Sequence, residues 1–227
     1  IIIVAGEPYS TFLEIFFKSL KSNILKKFPI ILIASKQNLV GQMKKLKYNY
    51  KIILINESNI DKIKPSQKII YLINVEFKKK KIIDKISGSS KKYIEESFKK
   101  GIQLLEQKKG IALINGPISK KYFLNKKYPG ITEYLADKTN KFNEEVMLIY
   151  NKKLSVSPIT THLPLKNIFK NISIKKITKK VNTINNFYKK KLNKKVKFAI
   201  TGLNPHCESK SSKNEEKRII LPAIKKL

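Results

Sequence analysis

His162 and His206 are the two histidines of this 227-residue chain. Each sits in a compact, proline-marked segment: Thr160-Thr161-His162-Leu163-Pro164-Leu165-Lys166 and Gly202-Leu203-Asn204-Pro205-His206-Cys207-Glu208. Imidazole is the commonest metal ligand and a near-neutral proton carrier, so two of them held in rigid turns can supply part of a divalent-metal site. Singly, each ring can equally pack against or cap its own turn. The pair is too widely spaced for the i, i+4 arrangement of a helical zinc motif, so the fold must bring the two together. A catalytic divalent ion commonly takes three protein ligands and leaves a position for water or substrate, so two histidines are one ligand short. Cys207 and Glu208 are adjacent donors, but a sequence neighbour on a turn usually points elsewhere. The expectation is a third ligand beyond Leu227 or from a partner subunit.

The elements that must hold these segments follow from periodicity. Short β-branched runs alternate with longer amphipathic stretches, the pattern of a largely parallel sheet covered by helices. Strands are expected over residues 1–5, 30–34, 51–56, 68–75 and 111–115, with helices over 11–27, 37–46, 91–108, 133–141 and 174–191. Residues 146–150 and 154–158 read as paired strands and 196–201 as a further strand. Both histidines would then follow the carboxyl ends of strands, where open α/β sheets place their ligands. Ser87-Gly88-Ser89-Ser90 offers helix caps. Glycine-proline punctuation between Gly116 and Gly130 marks a change of domain, with an approximate division into residues 1–120 and 121–227.

Composition narrows the class. A chain that is 41% hydrophobic can bury a real core. The formal charge of +33 ordinarily points to a polyanion, but Arg218 is the single arginine among 49 basic residues. Readers of phosphate and base edges use arginine forks clustered on one face, whereas here lysine is spread throughout. Lysine, isoleucine and asparagine enriched together fit AT-rich codon usage, so no specific nucleic-acid partner is expected. A small anionic substrate would still gain from the field. One cysteine, Cys207, excludes an internal disulfide and suits a reducing compartment. The opening apolar run is too short to span a bilayer, so a cytoplasmic protein without membrane partners is expected. With no initiator methionine and a final helix, residues 221–227, that stops uncapped, the chain is expected to be a fragment that is inactive alone.

Several segments occur together in a known order: Gly6-Glu7-Pro8, Gly116-Pro117-Ile118-Ser119-Lys120, Pro129-Gly130-Ile131-Thr132-Glu133, Thr161-His162-Leu163-Pro164-Leu165, Leu203-Asn204-Pro205-His206, then Glu215-Glu216 and Ile220-Leu221-Pro222-Ala223. In these the chain resembles the 4-hydroxythreonine-4-phosphate dehydrogenases. That resemblance implies an α/β/α sandwich of the isocitrate/isopropylmalate-dehydrogenase type, with two subdomains and a cleft between them. It implies a homodimer with its active site at the subunit interface, NAD or NADP as cofactor, a divalent metal (Zn, Mg or Co), and a small phosphorylated amino-acid substrate. His162 and His206 match two of the family's three metal-binding histidines. Thr132 matches a substrate-contacting threonine, and Ile131 stands where the family carries a substrate-contacting histidine. Isoleucine can pack but cannot hydrogen-bond.

Other departures are Tyr9-Ser10-Thr11-Phe12-Leu13 in place of a glycine-rich stretch and Ser209-Lys210-Ser211-Ser212 in place of glycines after the second histidine. Lys120, after a strand and a Gly-Pro turn, can meet an anion in the cleft or extend into solvent. Thr132 can contact substrate or cap a helix starting at Glu133. No catalytic or cofactor-binding residue is assigned. Two alternatives stand beside the dehydrogenase: a sister enzyme of the same fold acting on a 4-phosphorylated threonate, kept open by Ile131, and a non-enzymatic polyanion binder, kept open by the charge.

Overall fold

In a computed structural model, residues 1–23, 27–78, 84–203 and 214–227 are described. They divide into two compact units, Ile1–Tyr134 and Leu135–Leu227. The first unit is built on a five-stranded sheet in the order β3-β4-β2-β1-β5, with β1 Ile2–Val4, β2 Ile31–Ala34, β3 Lys51–Leu54, β4 Ile69–Asn74 and β5 Leu113–Asn115. All four pairings are parallel. A parallel sheet is covered on both faces, so its central strands read as unbroken apolar runs, and β1 and β2 are buried at every position.

Alternate residues serve opposite faces. Ile3, Ala5, Leu32, Ala34, Ile70 and Leu72 form one core with Leu13, Phe16 and Phe17 of α1 (Phe12–Ser19) and Leu39 of α2 (Lys36–Lys45). The other face receives α3 (Lys91–Glu106). There the close approach requires Gly101, because a methyl group would lie 2.8 Å from Leu113 Cδ1 and 3.0 Å from Val4 Cγ2. The result is the α/β/α sandwich expected.

Three sequence expectations are corrected. The first helix ends at Ser19, well short of residue 27, because the Ser19 hydroxyl donates back to the Phe16 carbonyl and tight turns follow, Lys21 N–H to Lys18 O and Ser22 N–H to Ser19 O. Residues 196–201 are not a strand. Their alternation is that of an extended segment, but a strand needs a hydrogen-bonded neighbour and none of the described backbone pairs with it. The paired strands at 146–150 and 154–158 shrink to one antiparallel bridge, Ile149 to Val156.

The second unit centres on α5 (Ile174–Leu192). Its first turn is capped by Ser173 Oγ accepting from Lys176 N–H, and it ends at Asn193, which adopts the left-handed conformation that asparagine tolerates. Ile177 of α5 packs with Ile220 and Ala223, the latter in α6 (Leu221–Lys225). Among the described residues, no helix is long and apolar enough to cross a membrane.

Candidate functional site

The sheet order places a reversal at β1. The chain runs from β1 to β2 on one side and later returns through α3 to β5 on the other, and ligands of open α/β sheets gather at the carboxyl ends beside such a reversal. The loops leaving β1 and β5 there are Gly6-Glu7-Pro8 and Gly116-Pro117. They are joined by Glu7 N–H to Pro117 O at 2.8 Å and Gly116 N–H to Val4 O at 2.7 Å. Gly6 has φ +72°, and a Cβ on it would lie 2.4 Å from Pro117 O; a Cβ on Gly116 would lie 2.1 Å from Ala5 O. Both glycines are therefore required by backbone contact. Pro8 O accepts from the buried amides of Asn38 (2.8 Å) and Gln42 (3.0 Å), which fixes this loop to α2. Phe12 packs over Gly116, and Tyr9 meets Phe77 edge-to-face at 5.7 Å.

Glu7 is the unusual group in this seam. It is 2% exposed; Oε2 accepts from the Ser90 hydroxyl at 3.0 Å, and Oε1 has no hydrogen-bond partner among the described residues. Burial pushes its carboxyl above the ordinary 4.5, with the Ser90 bond opposing. The folded state thus binds this proton more tightly than the unfolded chain. The stability it contributes is fully present below about pH 4.5 and is lost as pH rises through the raised folded value. Glu7→Gln, which cannot ionise, should therefore gain stability relative to the parent as pH climbs from about 4 to about 7. Urea unfolding of both proteins across that interval tests it, and a constant difference contradicts the buried carboxyl. Beside it, burial pushes the Tyr93 phenol up to about 12, so it stays neutral and accepts Ser35 N–H at 3.3 Å.

Lys120, exposed, opens the π-helical turn Lys120–Leu124, where Ser119 Oγ accepts Tyr122 N–H. Ile131 and Thr132 lie in the first turn of α4 (Ile131–Lys138), which starts two residues before the expected Glu133. Thr132 is thus inside the helix and exposed, not its cap. One aromatic cluster holds both segments: Phe123 stacks on Phe98 at 6.0 Å and meets Tyr134 at 5.0 Å, and Tyr134 also contacts Phe98 and Tyr128. The turn carrying Lys120 and the helix carrying Ile131 and Thr132 are therefore set by the same packing on α3.

His162 belongs to the second unit. The bridge at Ile149 and Val156 leads towards it and is fastened to α5 by Tyr188 O–H donating to Ser155 Oγ at 2.8 Å. The ring is exposed, and the backbone has φ +56°. A non-glycine residue in the left-handed region is strained by roughly 1 kcal/mol, and His162 shares that conformation with seven other described residues, Lys47 and Asn193 among them. His206, with Cys207 and Glu208, lies outside the described residues. Among the described residues no cluster of three or more metal-binding side chains is found.

Two further residues were invisible to motif reading as functional groups. Glu7 and Glu216 are acidic positions that hydropathy assigns to the surface, yet both are buried. Their presence in the recurring Gly6-Glu7-Pro8 and Glu215-Glu216 segments was the available signal.

Residues 26–227 match the family described as Pyridoxal phosphate biosynthetic protein PdxA. A 4-hydroxythreonine-4-phosphate dehydrogenase of Sulfurihydrogenibium sp. is 36% identical over 236 residues, an alignment covering 99% of this chain and 69% of that enzyme. The D-threonate 4-phosphate dehydrogenase of Salmonella typhimurium is 25% identical over 98% of the chain and 69% of its own length. Among solved structures, a putative 4-hydroxythreonine-4-phosphate dehydrogenase from Salmonella typhimurium superimposes with a TM-score of 0.86 at 25% identity, covering 99% of this chain and 70% of that one. The chain belongs to the Pyridoxal phosphate biosynthetic protein PdxA family and is a dehydrogenase.

Proposed function

We propose that the protein oxidises the secondary hydroxyl of 4-phosphohydroxy-L-threonine, with NAD as hydride acceptor and a divalent metal, in pyridoxal phosphate biosynthesis. The observation that carries this reading is the 36% identity to the Sulfurihydrogenibium enzyme across nearly the whole chain. The hydroxyl loses its proton and the carbinol carbon its hydride, giving 2-amino-3-oxo-4-phosphooxybutanoate. This β-keto acid loses carbon dioxide to give 3-amino-2-oxopropyl phosphate.

His162 and His206 are assigned as metal ligands. The exposed imidazole of His162, held by a strained backbone, is a donor suited to such an ion. When bound, the ion supplies Lewis acidity to the substrate oxygen. Thr132 is assigned to substrate, and the Lys120 ammonium to its anionic groups, with the lysine-rich surface raising the local concentration of phosphorylated molecules. Ile131 is assigned to the substrate's surroundings as an apolar side chain that can pack but cannot hydrogen-bond. A cytoplasmic homodimer completes the reading. The ribbon around the Ile149 bridge leaves Leu154 74% and Ile149 56% exposed, apolar surface that a second copy would cover.

A second reading, oxidation of D-threonate 4-phosphate, is supported by the 25% identity to the Salmonella typhimurium D-threonate 4-phosphate dehydrogenase and by Ile131, which stands where the resemblance implies a substrate-contacting histidine. Parallel assays of NADH formation by the full-length protein from the two substrates, with added divalent ion, separate the readings. Turnover of 4-phosphohydroxy-L-threonine with at least about tenfold higher kcat/KM supports the first. The reverse preference selects the second, and absence of turnover with either overturns both.

A further inference from the structure

A cavity of about 620 Å³ opens at the carboxyl ends of β3 and β4, on the opposite side of β2 from the β1–β5 seam. That volume suits a small organic molecule, and strand ends of this kind are where open α/β sheets place ligands. Leu54, Ile55, Ile73 and Leu104 make its apolar wall, with Leu54 left 50% exposed. The helical turn Glu57–Lys62 closes one side and is clasped twice to the residues just past α3: Gln107 Nε2 donates to Glu57 Oε2 at 3.1 Å, and Lys109 pairs with Asp61. The remaining polar groups of the lining are half committed. Asn74 Oδ1 accepts Lys36 N–H at 2.8 Å and Asn56 Oδ1 accepts the Ser58 hydroxyl at 2.7 Å, so the wholly unused part of each amide is its NH₂ group. Lys100 and Glu57 both line the cavity, yet neither enters an ion pair among the described residues. Two opposite charges therefore border one space without meeting each other.

We infer that this cavity binds a small zwitterion, an α-amino acid with an apolar side chain. Its carboxylate takes Lys100 Nζ and the two amide NH₂ groups, its ammonium takes the uncommitted oxygen of Glu57, and its side chain lies on the Leu54 and Ile55 wall. Hydrogen bonds in which one partner is charged are the strong ones, so a ligand that meets both charges gains most. A plain anion leaves Glu57 opposing it, and a plain cation leaves Lys100 opposing it. The charge of +33 favours plain anions over the whole surface, so a requirement for the ammonium marks this site against general attraction. The inference does not depend on the dehydrogenase substrate or on any metal ligand, and it stands or falls separately from both.

The test is ligand-observed NMR of the full-length protein with L-leucine, with isocaproate, which lacks the ammonium, and with isoamylamine, which lacks the carboxylate. Broadening of the leucine methyl lines is expected at millimolar concentration, with each analogue bound at least about tenfold more weakly. Asn74→Asp keeps the oxygen that accepts Lys36 N–H and replaces the NH₂ group by a second oxygen, so it should weaken leucine about tenfold or more at an unchanged thermal midpoint. Glu57→Gln should weaken leucine about fivefold or more while tightening isocaproate, a crossing of preference that a merely structural role does not produce. Lys100→Met, at an exposed position, should weaken leucine and isocaproate together, and it carries the test if Asn74→Asp does not fold. Absence of leucine broadening, leucine binding no tighter than isocaproate, or parent-like leucine affinity in both Glu57→Gln and Lys100→Met overturns the inference.

Discussion

His162→Ala is expected to lower kcat/KM for the phosphorylated substrate by about 10³-fold or more while leaving the second unit folded. A bound divalent ion supplies several kcal/mol of transition-state stabilisation, and each 1.36 kcal/mol corresponds to about a factor of ten in rate. The ring is exposed, so its removal opens no cavity in the Ile177, Ile220 and Ala223 core. The one structural complication is φ +56°, where alanine is less comfortable than histidine by about 1 kcal/mol. His162→Asn separates the effects, because asparagine tolerates the left-handed region but is a poor replacement for an imidazole ligand. Both variants should lose turnover and bound metal together, with His162→Asn keeping the thermal midpoint of the metal-free parent. Retention of metal-dependent NADH formation in either variant removes His162 from the site.

How much of this was legible in the sequence depends on how local each determinant is. The strands of the first unit were legible because a strand buried on both faces must be apolar throughout, as Ile2–Val4 and Ile31–Ala34 are. The helix over Lys91–Glu106 was legible from its period, and the serines before it as cap candidates from residue type, with Ser87 Oγ accepting Ser89 N–H. The misreading at 196–201 has a long-range cause: β-branched alternation says that a segment suits a sheet, not that another strand lies beside it. Of the site, the loops after β1 and β5 were legible as glycine-proline punctuation. Their mutual contact was not, because it depends on strand order. The left-handed backbone at His162 was likewise hidden, since histidine does not announce it as glycine would. Glu7 and Glu216 were hidden for a further reason: a buried carboxyl is made tolerable by partners distant in sequence, Ser90 for one and the Leu203 amide for the other.

Gly6→Ala and Gly116→Ala are each expected to destabilise the first unit by about 3 kcal/mol or more. Overpacking by a methyl group usually costs about 1–3 kcal/mol where neighbouring side chains can move aside. Here the methyl meets main chain: Pro117 O at 2.4 Å from a Cβ on Gly6, and Ala5 O at 2.1 Å from one on Gly116. Pro117 O already accepts Glu7 N–H at 2.8 Å, and both oxygens sit directly after strands that adjoin at Val4 and Asn115, so they cannot retreat without disturbing the β1–β5 edge. At Gly6 the φ of +72° adds about 1–2 kcal/mol for any residue with a side chain. Because both methyls would press on one seam, the double variant should cost less than the sum of the singles, the mark of two substitutions relieved by a single displacement. Urea unfolding of the three variants measures these costs, and a loss below about 1 kcal/mol for both singles contradicts the close approach. The consequence reaches past stability. The Gly116-Pro117 loop leads directly into Ser119 and Lys120, and the Gly6 loop carries Glu7 against Ser90 at the start of α3. A seam forced open should therefore weaken binding of the phosphorylated substrate in whatever fraction of the variant protein still folds.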